Sequence, residues 1–69
     1  MTEQLLNRVT SDPRIMVGKP VTKGARIPVE LILKMLAQGI SKEEILREYP
    51  RLQPEDIRAA LHYAAQLVA

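Results

Sequence analysis

The chain has 69 residues, 46% hydrophobic and 26% charged, with a formal net charge of +2. That length predicts a single domain, and domains this short bury only about 60% of their unfolded surface, so disulfides, metals or association usually supplement the core. With no cysteine and one histidine, His62, disulfides and ordinary zinc sites are excluded.

No metal or cofactor is therefore expected, and helix packing or self-association must supply the missing stability. The opening run MTEQLLNRV has no basic region ahead of a long apolar stretch, so no signal peptide is expected. No apolar run approaches the roughly 18–20 residues of a membrane span. The expected location is cytoplasmic, away from membranes.

Residues 1–27 form an irregular arm that carries most of the positive charge. Arg8, Arg14, Lys19, Lys23 and Arg26 stand there against only Glu3 and Asp12, whereas residues 28–69 hold five cations and six acids. Such asymmetry suits a polyanion partner, and equally an ordinary solvated basic surface. Within the arm, β-favouring residues cluster around Val9 and Ile15, on either side of Ser11-Asp12-Pro13. Asp-Pro favours a turn, so a small hairpin or a pair of extended segments is expected. Ala25–Ile27 is expected to be extended, because the residue before Pro28 avoids helical angles.

The stretch VGKPVTKGARIPVEL, residues 17–31, invites comparison with a phosphate-binding loop. Such a loop needs four residues between its glycines and a lysine after the second. Here five residues separate Gly18 from Gly24, and Ala25 stands in the lysine's place. The glycines and prolines are instead expected to bend the arm into the first helix. Lys19, Lys23 and Arg26 remain candidates for phosphate-backbone contacts.

From Pro28 the pattern is helical. Pro suits the first helical position, Val29, Ile32, Leu33 and Leu36 form one apolar face, and Gly39 suits the position just past a helix end. Helix one is predicted over 28–38. Ser41-Lys42-Glu43-Glu44 is a capping box in which Ser41 accepts from the Glu44 N–H and Glu44 reaches back to Ser41. Helix two is predicted over 42–49, burying Ile45, Leu46 and Tyr49, and Pro50 ends it. Pro54 opens helix three, predicted over 54–68, with Glu55 and Asp56 at its dipole-favoured start. Its inward face is expected to hold Ile57, Ala60, Leu61, Ala64 and Val68.

Three helices with tight connections match a helix-turn-helix plan, in which the last helix would enter a DNA groove. Its outward stripe is then Glu55, Ala59, His62 and Gln66, with Arg58 alongside. Gln53, Arg58, His62 and Gln66 are candidate base or phosphate contacts, against the alternative of a plain solvated face. Glu55 and Asp56 would repel phosphate at the entering tip. Apolar residues off the main stripes, namely Leu5, Leu6, Leu31, Met35, Tyr63 and Leu67, are candidates for a dimer or partner interface, and a homodimer is the expected assembly. No arrangement of nucleophile and base supports an enzyme.

The pieces GKP (18–20), KGARIPV (23–29), GISKEEIL (39–46), YPRLQPEDI (49–57) and AALHYA (59–64) follow one another in an order and spacing that resembles the domain of unknown function 433 family. Gly24-Ala25-Arg26 stands where that family usually has Gly-Thr-Arg, and Gln53 where Thr or Ser commonly caps the third helix. The resemblance implies a homeodomain-like or winged-helix-type unit. It also implies an antitoxin of a toxin–antitoxin pair, silencing a PIN-like ribonuclease toxin and binding its own double-stranded operator as a dimer. The alternative is a protein-interaction module that caps a partner enzyme without touching DNA.

Overall fold

The computed structural model describes residues 7–11 and 19–68. Leu5, Leu6 and the β-favouring run around Ile15 lie outside the described residues. Two short strands, β1 (Val9–Ser11) and β2 (Pro20–Thr22), pair antiparallel, with Val9 opposite Thr22 and Ser11 opposite Pro20. Three helices follow: α1 (Val29–Ala37), α2 (Lys42–Glu48) and α3 (Pro54–Val68). The molecule is thus mainly helical, with a two-stranded antiparallel sheet packed against α1 and α3. No helix among the described residues is long and apolar enough to cross a membrane.

The helices begin and end where local chemistry dictates. Pro28 is the N-cap of α1, with extended angles (φ −60°, ψ 134°), not its first helical residue as expected; it forms an antiparallel bridge with Val21, which holds its ψ open. Gly39 adopts φ +87° and closes α1. Its N–H bonds the Leu36 carbonyl, and the Ile40 N–H bonds the Met35 carbonyl. That pair of bonds satisfies carbonyls the helix end would otherwise orphan. At α2, Ser41 Oγ accepts from the Glu44 N–H at 3.2 Å. The reciprocal bond from Ser41 N–H to the Glu44 side chain is not made, so only half of the capping box forms.

Where α1 is concerned, the apolar face is as expected. Val29 and Ile32 are buried, and Leu33 and Leu36 pack beside them. Ile45, Leu52, Ile57 and Ala60 complete the core. Leu52 lies in the α2–α3 turn, where a buried residue was not expected.

α3 is rotated from the expected orientation. Asp56, Ile57, Ala59 and Ala60 are its buried residues, while Leu61 and Val68 are 47% and 87% exposed. Ala59, expected outside, is inside. The physical reason is Asp56. Its carboxylate accepts from the Gln53 N–H at 2.9 Å through Oδ2, and from Arg8 Nη1 at 2.9 Å through Oδ1. A carboxylate with such partners can be buried, and burying it turns the next turn of α3 inward at Ala59 and Ala60.

The arm is closed by a second polar device. Thr22, fully buried, accepts from the Ile27 N–H through Oγ1 at 3.0 Å, while its backbone exchanges bonds with Ile27 and Arg26. The loop between is tight enough to force Arg26 to φ +56°, so residues 25–27 do not form the extended piece expected. Gly24, by contrast, has ordinary negative φ.

Two stability tests follow from these devices. Asp56→Ala should lower the unfolding free energy by about 1–3 kcal/mol in urea melts, since it removes a buried hydrogen-bonding group and orphans the Gln53 N–H. Arg8→Ala should cost a similar amount by leaving a buried carboxylate underpaired, and the double variant should cost less than the sum by at least about 0.5 kcal/mol; simple additivity would refute the coupling. Gly39→Ala should cost about 1–2 kcal/mol because a Cβ at φ +87° is strained, whereas Gly24→Ala, with open space around it, should stay within about 0.5 kcal/mol.

Candidate functional site

α2 is a seven-residue helix with a cleft on either side. The first cleft, of about 270 Å³, lies between α2 and the start of α3 and is lined by Lys42, Glu43, Leu46, Pro54 and Arg58. Lys42 and Leu46 are one turn apart and so share a face of α2; Arg58 is one turn into α3. Two cations and one carboxylate, Glu43, therefore meet at one opening with an apolar floor. The second cleft, of about 210 Å³, lies between the end of α1 and the other face of α2, and is lined by apolar residues and by Glu44 and Glu48.

The candidate nucleic-acid contacts divide sharply. Arg58 is exposed and lines the first cleft. Gln53 is exposed, but its Oε1 accepts from Arg8 Nη2 at 3.4 Å, so its side chain is partly engaged by the arm. Gln66 is exposed two turns beyond Arg58, roughly 12 Å along the helix axis. His62 is half-buried, and its Nε2 is buried with no hydrogen-bond partner among the described residues; it is not the outward reader that its spacing suggested. Lys23 and Arg26 are exposed together on the loop that Thr22 closes.

Lys19 is exposed yet engaged. Its Nζ lies 3.1 Å from Glu30 Oε1, and Lys34, one turn further along α1, lies 3.6 Å from Glu30 Oε2. Glu30 thus stitches the arm to α1.

Of the candidate interface residues, Met35 and Tyr63 pack against the core, and Leu31 is half-buried. Leu67 is 71% exposed. Leu61 and Val68, seven positions apart, share one side of α3, whereas Leu67 follows the stripe of Ala60 and Tyr63 past the end of the core. Leu61 and Val68 were expected in the core; the rotation of α3 brings Leu61 out, and Val68 lies on the last turn, beyond the packed part of the helix.

Lys42 was missed as a site residue because it reads as filler inside a capping box. A signal was present: a cation in the first turn opposes the helix dipole, which points to a role outside the helix itself.

The Lys19 ammonium, bonded to Glu30, holds the Glu30 carboxyl below its ordinary value of 4.5, with Lys34 adding to the effect. Because the folded value is depressed, this contribution is present above the ordinary value and is lost as pH falls through the lowered one. Lys19→Ala should move the Glu30 titration, followed by carboxyl carbon NMR, up towards 4.5, with Lys34→Ala giving a smaller rise.

Comparison with known proteins bears on the family and the fold. A family model described as "Protein of unknown function (DUF433)" matches residues 9–64. The crystal structure of a DUF433 member from Anabaena variabilis ATCC 29413 superposes with a TM-score of 0.82 at 34% identity, over 93% of this chain and 63% of that one. "Uncharacterized protein y4eO" of Sinorhizobium fredii is 45% identical over 56 residues, which span 81% of this chain but 25% of the relative. The chain therefore covers about a quarter of that relative's length and under two thirds of the crystallised protein's. A match over most of the chain, with the same fold at substantial identity, makes this protein a member of the DUF433 family.

Proposed function

We propose that the chain is an antitoxin-like module of helix-turn-helix type, which occupies operator DNA through α2, the following turn and the start of α3, and so represses without chemistry. The observation that carries this reading is the first cleft, where Lys42 and Arg58 share one opening beside the start of α3. In helix-turn-helix proteins, the start of the last helix meets base edges while the preceding helix crosses the phosphate backbone. On this reading Arg58 and Gln53 serve the first task and Lys42 the second; all three are exposed, as is Arg51 in the turn between the helices. The paired state of Asp56 supports the reading too. One of the two acids at the tip of α3 is buried and neutralised by Arg8, which lowers the phosphate repulsion that two free carboxylates would bring.

A second reading is favoured by a separate observation. Exposed Leu61 and Val68 share one side of the second half of α3, and exposed Leu67 adds apolar surface at its end, which suits a protein partner better than a polyanion. In that reading the module caps a partner, such as a PIN-like ribonuclease toxin or a second copy of itself. The two contacts lie on different parts of α3 and are compatible.

Fluorescence anisotropy with the duplex upstream of the chain's own coding sequence tests the first reading. Binding should weaken linearly in log–log with salt; Lys42→Ala should reduce the slope by about 1, and Arg58→Ala should cost about 1–3 kcal/mol and relax the preference for operator over unrelated duplex. Absence of binding at low salt would remove it. Co-expression with the product of the adjacent gene tests the second. Leu61→Asp should abolish co-purification while sparing the DNA affinity; co-purification unaffected by Leu61→Asp would move the partner surface elsewhere.

A further inference from the structure

The second cleft matches neither contact. It is lined by Met35 and Ile40 from the end of α1 and its exit, and by Glu44, Ile45, Glu48 and Tyr49 from α2 and its end. We infer that this cleft receives an arginine or lysine side chain from a partner protein.

Three observations converge on that occupant. First, the cleft is amphipathic in the way a long basic side chain is. Ile45 is fully buried at its base, and Met35, Ile40 and Tyr49 are half-buried around it, while the exposed carboxylates stand at the rim. Lysine and arginine lay their methylene stems along apolar surface and keep the charge at the edge, and a tyrosine ring adds a favourable face for a cation.

Second, the rim carries two unneutralised carboxylates, of which only Glu44 has the support of the helix dipole. Glu44 and Glu48 are one helical turn apart, where side chains are neighbours and like charges repel. Among the described residues, neither has a cation within 4 Å, although Glu30 on α1 has two. A guanidinium or ammonium between them relieves that repulsion with charge-assisted hydrogen bonds.

Third, Glu44 forgoes its local partner. It stands at the capping-box position, yet its carboxylate does not bond the Ser41 N–H, and it lines the cleft instead.

Other occupants fit worse. A divalent cation such as magnesium or calcium needs six or more oxygen ligands, and the rest of this lining is two isoleucines, the Met35 thioether and one phenol. Nucleic acid is repelled by the rim. The inference does not depend on the DNA reading, because it concerns the opposite face of α2.

The test uses the full chain labelled with ¹⁵N and three probes added separately at millimolar concentration: N-acetylarginine methylamide, its neutral isostere N-acetylcitrulline methylamide, and magnesium chloride. The arginine probe should shift amides of Ile40, Glu44, Ile45, Glu48 and Tyr49, and the citrulline probe should leave them within error. Glu44→Gln/Glu48→Gln, with its helical circular dichroism unchanged, should weaken the arginine titration about tenfold, while Glu43→Gln on the other face should leave it as it was. The inference is overturned by equal shifts with citrulline, by the same shifts with magnesium, by shifts spread over every exposed acid, by an unchanged affinity in the double variant, or by no shifts at all.

Discussion

The contact between Arg8 and Asp56 fixes more of this molecule than any other. Asp56 sits in the first turn of α3 with its side chain only 5% exposed. A carboxylate that dry is costly unless both oxygens are bonded, and both are: one by the backbone of Gln53, the other by Arg8. Arg8 itself precedes β1, and its carbonyl accepts from the Lys23 N–H across the arm. One ion pair therefore ties together the sheet, the turn before α3 and α3 itself. The basic arm is a structural part of the helical unit, and the relation between the Lys23–Arg26 loop and the start of α3 is set through it.

The same ion pair explains which parts of the fold could be read from the sequence and which could not. Helix positions were legible because their signals are local: Ser41 caps α2, Gly39 ends α1, Pro54 opens α3. Such signals act over four or five residues and survive any tertiary arrangement. The facing of α3 was not legible. Reading apolar side chains as inward and charged ones as outward assigns Leu61 and Val68 to the core and leaves Asp56 in water. A partner 48 positions away reverses that order, and nothing near Asp56 in sequence announces Arg8. The buried Thr22 escaped notice for a related reason, since its burial depends on the Ile27 amide five residues on. Arg26 is a third case. The left-handed bend that glycine was expected to supply falls on an arginine, held there by hydrogen bonds on both sides.

The rotation also changes what the candidate site means. Had α3 faced as its hydrophobic spacing suggested, His62 and Gln66 would have formed a polar stripe along its whole outer length, fit for a groove. Instead His62 is half-buried, Gln66 stands alone, and the exposed polar residues at the start of α3 are Gln53 and Arg58, beside Lys42 from α2. α2 thus becomes a wall between two openings of opposite character. Residues 42, 43 and 46 face a cleft with two cations and one carboxylate; residues 44, 45, 48 and 49 face one with two carboxylates and, among the described residues, no cation. A seven-residue helix has no other way to serve two neighbours than to present its two flanks, and its single buried side chain, Ile45, anchors it between them.

The end of α3 carries the last constraint. Its fully buried residues stop at Ala60, His62 to Ala64 are half-buried, and Ala65, Gln66, Leu67 and Val68 are all exposed. Helices of this length are marginal in water on propensity alone and owe most of their stability to packing on one face. The last turn of α3 has no such packing, yet two of its four side chains are large and apolar. Water gains nothing from Leu67 and Val68 in that position, and a charged or polar turn would serve solubility better. Burying them against another protein would stabilise the helix end and remove the apolar surface in one step, at roughly 25 cal/mol for each Å² covered. This constraint acts on the opposite end of α3 from Arg58.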